Sequence, residues 1–191
     1  SILSFNIKYK DHYLHPRFVT TLLNDLFGIQ SRAGCSCAGP YGHLLLGIDP
    51  KKSDRYREVI IEGCEAIKPG WVRVNFHYLL DQETFVFMIQ AIKFVADYGY
   101  LFLQDYTVDT KTGNWINQYH KDEDFIDFSI KSIIDGKGFQ PKRYSGRSAH
   151  LAYKSYLEEA YVLKDKHLES TSNYVLFEEK TMSDLAWFYV T

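Results

Sequence analysis

The chain has 191 residues with a formal net charge of −2, and 46% of them are hydrophobic, including 15 tyrosines and 13 phenylalanines. This length is enough to bury one sizeable core, and the composition excludes disordered and collagen-like chains. The near-neutral charge and scattered basic residues predict no nucleic-acid partner, and no apolar run approaches the roughly 18 residues that would predict a membrane span.

The first hundred residues are predicted to alternate strands with helices. The prediction follows hydrophobic periodicity and the positions of proline and glycine. In chain order the elements are a strand from Ser1 to Tyr9, a helix from Pro16 to Gly28, a short strand at "IQSR", a helix at "YGHLLLGI", an amphipathic helix at "KSDRYREVIIEGCEAI", a strand at "GWVRVNF", and a long helix from the Asp81 cap to Gly99.

The "GWVRVNF" segment alternates with period two, as a half-buried strand does. Val72 and Val74 fall on one face and Arg73 on the other. We therefore expect Arg73 to point away from the core.

From Tyr100 onwards the sequence is polar and rich in turn residues, with a turn expected at Gly113. Two helices are predicted around "DEDFIDFSIKSII" and "SAHLAYKSYLEEAYVLKDKHL", and two terminal strands within "NYVLFEEKTMSDLAWFYV". The order of elements predicts an α+β fold in which helices cover a small antiparallel or mixed sheet. We expect residues 1–100 to form its core and residues 101–191 to form an extension packed on the same domain.

The glycine-rich segment "SRAGCSCAGPYGH" contains two of the three cysteines, Cys35 and Cys37. A structural zinc site is disfavoured, because no second cysteine pair follows and only His43 lies close in sequence. One alternative is a reactive thiol at Cys37, whose pKa Arg32 and the start of the next helix would lower. The other is that both cysteines are small apolar residues packed in a turn, and the spacing alone favours this second reading.

Three segments together resemble the C-terminal domain of class V aminotransferases. They are "SFNI", "FGIQSRAGCSCAGPYG" and "GWVRVNFHYLLDQETFVFMIQAI". These fold-type I enzymes depend on pyridoxal phosphate (PLP) and include the group II cysteine desulfurases. The resemblance covers about the first half of the chain, and the loop from Arg32 to Pro40 follows the family pattern R-x-G-x-x-C-A-x-P.

The resemblance implies roles for three residues. Cys37 takes the position of the persulfide-forming cysteine, and Arg73 that of the arginine that binds the α-carboxylate of the amino-acid substrate. Arg32, which precedes the loop, is the second candidate for substrate binding. Cys35 and Ser36 stand where desulfurases commonly have histidines. The resemblance therefore does not distinguish desulfuration from transamination or deselenation.

The family's PLP-binding lysine belongs to a large N-terminal domain, and none of the lysines here lies in a comparable motif. The resemblance therefore implies that this chain is a piece of a longer, homodimeric enzyme and is inactive without its own large domain. The odd number of cysteines favours a reducing, cytoplasmic compartment. No metal site and no membrane contact are expected.

Two other classes of function stay open. One is a non-catalytic interaction module with a degenerate small-domain fold, which uses the tyrosine-rich second half as its contact surface. The other is a hydrolase that uses Cys37 with a histidine and an acid, although none of the seven histidines has a distinctive local partner. His43 and His77 are expected to cap or pack instead.

Overall fold

The computed structural model describes residues 1–35, 39–119, 134, 147–170, 173–177 and 185–191. These residues form five helices and small antiparallel sheets, which confirms the predicted α+β class.

The described residues form five α-helices and two 3₁₀ segments. They are α1 (Pro16–Phe27), α2 (Gly39–Leu45), α3 (Pro50–Ile61), α4 (Gln82–Tyr98) and α5 (Arg147–Leu168), with 3₁₀ segments at Glu65–Ile67 and Gly99–Asp105. The strands are β1 (Ile2–Phe5), β2 (Lys8–Tyr9), β3 (His12–Tyr13), β4 (Arg32–Gly34), β5 (Trp71–Asn75), β6 (Tyr106–Val108), β7 (Trp115–Asn117), β8 (Val175–Leu176) and β9 (Tyr189–Val190).

The central sheet has three antiparallel strands in the order β1-β5-β4, and α1 packs against β4 and β5. The sequence determines both ends of α1. His15 caps its first turn, Pro16 occupies its first position, and Gly28 ends it in the left-handed conformation with φ 64°. α1 therefore begins and ends where the sequence predicts.

Residues beyond position 100 contribute to the same buried core as the first hundred. Trp115 packs against Phe18 of α1, and Phe188 packs against His15, the residue that caps α1. The Tyr56 hydroxyl donates to the Leu185 carbonyl at 3.0 Å, and the Trp187 indole donates to the Ile67 carbonyl at 2.9 Å. Side chains from both halves thus enclose one apolar interior.

Five boundary predictions were wrong or incomplete. The amphipathic helix predicted through Ile67 ends at Ile61, and Glu65–Ile67 forms a separate 3₁₀ segment. The strand predicted at "IQSR" lies at Arg32–Gly34 instead, because the Ile29 amide still bonds to the Leu23 carbonyl as part of the α1 cap. The strand from Ser1 to Tyr9 is split into β1 and β2. Gly99 adopts right-handed helical angles, and the chain continues as a 3₁₀ helix to Asp105. The β6–β7 hairpin was not predicted, although its turn at Gly113 was.

Two other predictions concern residues that the structure does not describe. The predicted helix at 122–134 lies outside the described residues apart from Ile134, and so does the connection between the two terminal strands. The strands themselves pair as β8 and β9.

One helical stretch is longer and more apolar than the sequence analysis expected. Gln82–Asp105 spans 24 residues and contains an 18-residue window with a mean hydropathy of 1.4, so an element long and apolar enough to span a bilayer is present. Length and composition are weak evidence for a span, because a core helix meets the same criteria. In this fold 44% of the window is buried, with Phe87, Ala91, Phe94 and Val95 in the core.

His15 is a buried structural histidine. Its Nδ1 accepts the Arg17 amide at 3.1 Å, so its Nε2 carries the proton and donates to the Ala66 carbonyl at 3.1 Å. Trp115, Trp187 and Phe188 surround the ring. Burial lowers the pKa of His15 to about 3 because the charged imidazolium would lose its hydration.

We predict that His15 makes the protein sensitive to mild acid. Its folded pKa lies below the unfolded value of about 6.5, so the unfolded state binds the extra proton between about pH 3 and pH 6.5. As the pH decreases through that range, the free energy of unfolding should fall by about 1.4 kcal/mol for each pH unit. Above about pH 6.5 His15 should not change the free energy of unfolding. Urea unfolding between about pH 4 and pH 7 measures the slope.

His15→Asn keeps a capping side chain but does not titrate. The slope of its free energy of unfolding against pH should therefore be smaller by the contribution of one proton. The exposed His150→Asn is the matched control and should keep the parent slope. Equal slopes in the parent and His15→Asn would contradict the prediction.

Candidate functional site

The two faces of the central sheet differ in chemistry. Val72 and Val74 of β5 are completely buried in the core beneath α1. Arg73 and Trp71 point to the opposite face and are half-buried. This confirms the predicted alternation and gives the sheet an open face with a guanidinium on its central strand.

The strand register brings the two predicted substrate-binding arginines together. Arg73 lies directly opposite Arg32 of β4, and its neighbour on the other side is Ser4 of β1. Directly opposite residues of an antiparallel pair project their side chains from the same face, with Cβ atoms about 4.5–5.5 Å apart. Like charges in that position are destabilising. The open face therefore carries two adjacent positive charges in an unfavourable arrangement.

No acidic side chain within the described ranges compensates this pair. β1, β4 and β5 contain neither aspartate nor glutamate. The ion pairs found in those ranges involve other cations, such as Arg17 and Lys68, which both approach Glu65. Among those residues, no acidic side chain would thus compete with an anion for the hydrogen-bond donors of the two arginines.

α2 packs on the same open face beside the arginine pair. A Cβ added to Gly42 would lie 3.3 Å from the Trp71 ring and 3.4 Å from the Cys35 Cβ, so Gly42 allows the close approach. Since Trp71 and Arg73 are two residues apart on one strand, α2 and Cys35 border the surface that the guanidiniums occupy. The described ends of the cysteine loop therefore flank the candidate site.

The base of that loop depends on two glycines. Gly34 has a φ of 122°, which side chains rarely adopt, and a Cβ on Gly70 would lie 2.7 Å from the Gly34 backbone. The close approach of the two backbones therefore requires glycine at position 70, and the φ of residue 34 favours glycine there. This contact fixes the point at which the loop leaves β4.

The three cysteines differ in their surroundings. Cys37, the predicted nucleophile, lies outside the described residues. Cys35 is a half-buried free thiol at the end of β4, and Cys64 is buried in the core. Within the described ranges no group of three or more His, Cys, Asp or Glu side chains is placed to hold a metal ion.

His43 and His77 make the kind of local contacts expected of packing and capping residues. His43 Nδ1 lies 2.7 Å from the Ser53 hydroxyl, and its ring contacts Tyr56. Burial lowers the pKa of His43 because the charged form loses hydration. His77 Nδ1 accepts the Leu79 amide at 3.2 Å. Each imidazole holds a neighbouring segment in place.

The sequence analysis did not identify a second cluster of polar side chains. Asp25, Asp105 and Tyr106 of this cluster line a cleft of about 470 Å³ between the end of α1 and the 3₁₀ helix at Gly99–Asp105. Asp105 Oδ2 lies 2.7 Å from His167 Nε2, and the Tyr106 hydroxyl donates to Asp25 at 2.7 Å. Burial raises the pKa of Asp105, and His167 opposes that rise. Burial and the bond to Asp25 raise the pKa of Tyr106. The partners are 62 and 81 residues apart, so no local motif reveals them.

No family model, curated protein or solved structure matches this chain.

We predict that removing one arginine stabilises the fold. Arg32→Gln should raise the free energy of unfolding by about 0.2–1 kcal/mol because it ends the cross-strand repulsion with Arg73. The gain should be largest near 0.01 M salt and nearly vanish at about 1 M, where charges are screened. Urea unfolding at both salt concentrations measures it.

Arg57→Gln on the exposed side of α3 is the matched control for the loss of one positive charge. A gain in this control equal to that of Arg32→Gln would show that net charge, and not the pairing with Arg73, is responsible.

Proposed function

We propose that this chain is the substrate-side domain of a PLP-dependent enzyme similar to class V aminotransferases and cysteine desulfurases. The observation that supports the proposal is the arginine pair, Arg73 with Arg32, on an open sheet face bordered by Cys35. In the proposal this face binds the carboxylate of an amino-acid substrate, and the cysteine loop supplies Cys37.

The physical chemistry of Arg73 suits carboxylate binding. A guanidinium forms two parallel hydrogen bonds with a carboxylate, which sets the orientation of the ligand as well as attracting it. Arg73 is half-buried on the central strand, where it is held more rigidly than a loop residue would be. Partial removal from water also strengthens its attraction to an anion.

The strands of this face supply no lysine to hold PLP. β1, β4 and β5 contain no lysine that could bond to the cofactor next to Arg73. We therefore place the cofactor on a large domain that precedes this chain in the proposed full-length homodimer, and we assign no reaction step to PLP here. When bound, PLP supplies the electron sink for reactions at the substrate α-carbon.

Cys37 is assigned the role of sulfur acceptor. A thiolate is the reactive form of cysteine, and adjacent positive charge favours it by lowering the thiol pKa. Arg32, five residues earlier on β4, is the cation that the sequence places nearest to the loop. The proposed cytoplasmic location would keep this thiol reduced.

The first test separates a substrate-side domain from a complete enzyme. We expect the isolated chain, mixed with PLP and borohydride, to show no stoichiometric PLP addition at any single lysine by intact mass and peptide mapping. A single lysine labelled at one equivalent would contradict the proposal, because it would place the cofactor site in this chain.

The second test uses the full-length protein with PLP and L-cysteine. Cys37→Ser is expected to abolish both sulfide release and the persulfide mass increment, whereas Cys35→Ser, the matched control two residues away, should retain them. Turnover of L-cysteine without any dependence on Cys37 would leave a class V enzyme in which the loop only shapes the site. Absence of PLP binding to the full-length protein would overturn the proposal.

A second candidate function, protein interaction, is supported by apolar side chains around the same face. Tyr41, Leu44 and Leu45 of α2 are each at least 60% exposed, and so are Tyr78 and Leu79 after β5. Exposed apolar groups of this kind mark docking surfaces. In the PLP proposal the large domain covers them, whereas in the alternative a separate protein does.

We predict weak self-association of the isolated chain through these side chains. The apparent mass in light scattering should rise with concentration, and Leu44→Ser should reduce that rise because it removes exposed apolar area. Leu151→Ser, at an exposed position on α5, is the matched control. A chain that stays monomeric at high concentration would count against this surface.

A further inference from the structure

We propose that the outer edge of β1 pairs with β1 of a second copy of this chain. The two strands run antiparallel about a two-fold axis at Leu3, and they join two three-stranded sheets into one continuous sheet. The pairing does not depend on the proposed function. It is also separate from the exposed apolar side chains of α2 and of residues 78–79 after β5.

β1 (Ile2–Phe5) is an unprotected edge of the central sheet. Its inner side pairs with β5, and no strand within the described ranges pairs with its outer side. Ile2 is 67% exposed and Leu3 is 41% exposed. Proteins usually protect such an edge with charged residues, proline or a bulge, but β1 contains no charge and no proline and pairs with β5 without a bulge. The edge is therefore neutral, apolar and open to another strand.

The last pair of the β1–β5 ladder shows which backbone groups face outwards. Ser1 and Phe76 exchange two hydrogen bonds of 2.8 Å, one donated by the Phe76 amide and the other by the Ser1 amino group. Such hydrogen-bonded pairs alternate with non-hydrogen-bonded pairs along an antiparallel ladder. Leu3 therefore bonds to β5, whereas the amide and carbonyl groups of Ile2 and Ser4 point away from it.

These outward groups determine the register of the proposed pairing. When Ile2 of one copy lies opposite Ser4 of the other, each donates its amide to the carbonyl of its partner, and the two-fold axis repeats both bonds. The axis then places Leu3 opposite Leu3 in a non-hydrogen-bonded pair, where side chains approach most closely. This contact covers the apolar area that Leu3 exposes in a single chain.

Exposed apolar surface continues from β1 onto α4. Leu3 lies opposite Val74, and Phe76 follows two residues later on the same face of the sheet. The Phe76 ring contacts Phe85 of α4, with 5.3 Å between the ring centroids. Phe85 and Ile89 lie one helical turn apart and are 44% and 41% exposed. A second copy at the β1 edge thus lies next to exposed apolar area of a helix as well as of a strand.

The charges of the two copies do not oppose the pairing. β1 carries no charged side chain, and Arg73 lies one strand further into each sheet. In the proposed register the two copies of Arg73 are three strand spacings apart, which is at least about 14 Å. This separation exceeds the Debye length of about 8 Å at physiological salt concentration. A neutral edge matches another neutral edge, and an identical strand supplies one without effective repulsion.

The first test removes an outward-pointing amide. Because β1 has four residues, the interface is small, and we expect a reversible monomer–dimer equilibrium in analytical ultracentrifugation. Ser4→Pro deletes an amide that does not bond to β5, so the inner ladder stays intact. It should raise the dimer dissociation constant about tenfold or more, because each dimer loses two hydrogen bonds. Ser4→Ala keeps the amide and is the matched control, and amide spectra verify that both variants are folded.

The second test examines the register. Non-hydrogen-bonded pairs bring directly opposite Cβ atoms close to the separation that a disulfide requires. With oxidised glutathione, Leu3→Cys should therefore give a disulfide-linked dimer through position 3. Ile2→Cys, the matched control, lies opposite Ser4 of the partner and should not. Both variants share the three native cysteines, and peptide mass mapping identifies the linked positions.

The outcomes separate the possible partners of this edge. A dimer that Ser4→Pro does not weaken but Leu44→Ser does would form through α2 and would overturn the proposal. A chain that stays monomeric at high concentration would also overturn it, and slow hydrogen exchange at Ile2 and Ser4 in that monomer would show that the same chain covers the edge. Equal cross-linking of Leu3→Cys and Ile2→Cys would overturn the register.

Discussion

The antiparallel pairing of β5 with β1 and β4 is the constraint on which both the core and the candidate site depend. A strand directs alternate side chains to opposite faces, so the register that buries Val72 and Val74 also places Arg73 on the open side. A slip of one residue would bury Arg73 and expose the valines. The hydrophobic core therefore fixes the position of the charged site.

If the open face binds a carboxylate as proposed, the arginine pair that serves binding also reduces the stability of the sheet. Two cations in directly opposite positions weaken the sheet, and the described acidic residues form no ion pair with either. Functional sites commonly keep such locally unfavourable arrangements, because the ligand supplies the missing interaction. Gly42 lets α2 approach Trp71 and Cys35 beside the arginines, and Gly70 lets its backbone lie against that of Gly34.

Local sequence signals were sufficient to predict the elements whose ends are set by their own capping residues or whose side chains alternate in polarity. The proline and the glycine of α1, the Asp81 cap of α4 and the alternation of β5 each act within a few residues, and each was predicted. The strand order was not predictable, and the pairing of Arg32 opposite Arg73 follows from it. The same holds for Asp105 with His167, whose proximity arises only when α5 packs on the 3₁₀ helix.

The burial of His15 has a consequence for how the chain reaches its folded state. The aromatic side chains around this ring come from positions 115, 187 and 188, and Tyr56 bonds to Leu185 across 129 residues. Contacts between residues so distant in sequence form slowly, because long loops must close first. During synthesis on the ribosome the N-terminal half cannot complete its interior until these last residues have emerged. Until then, apolar surface around α1 stays accessible to chaperones.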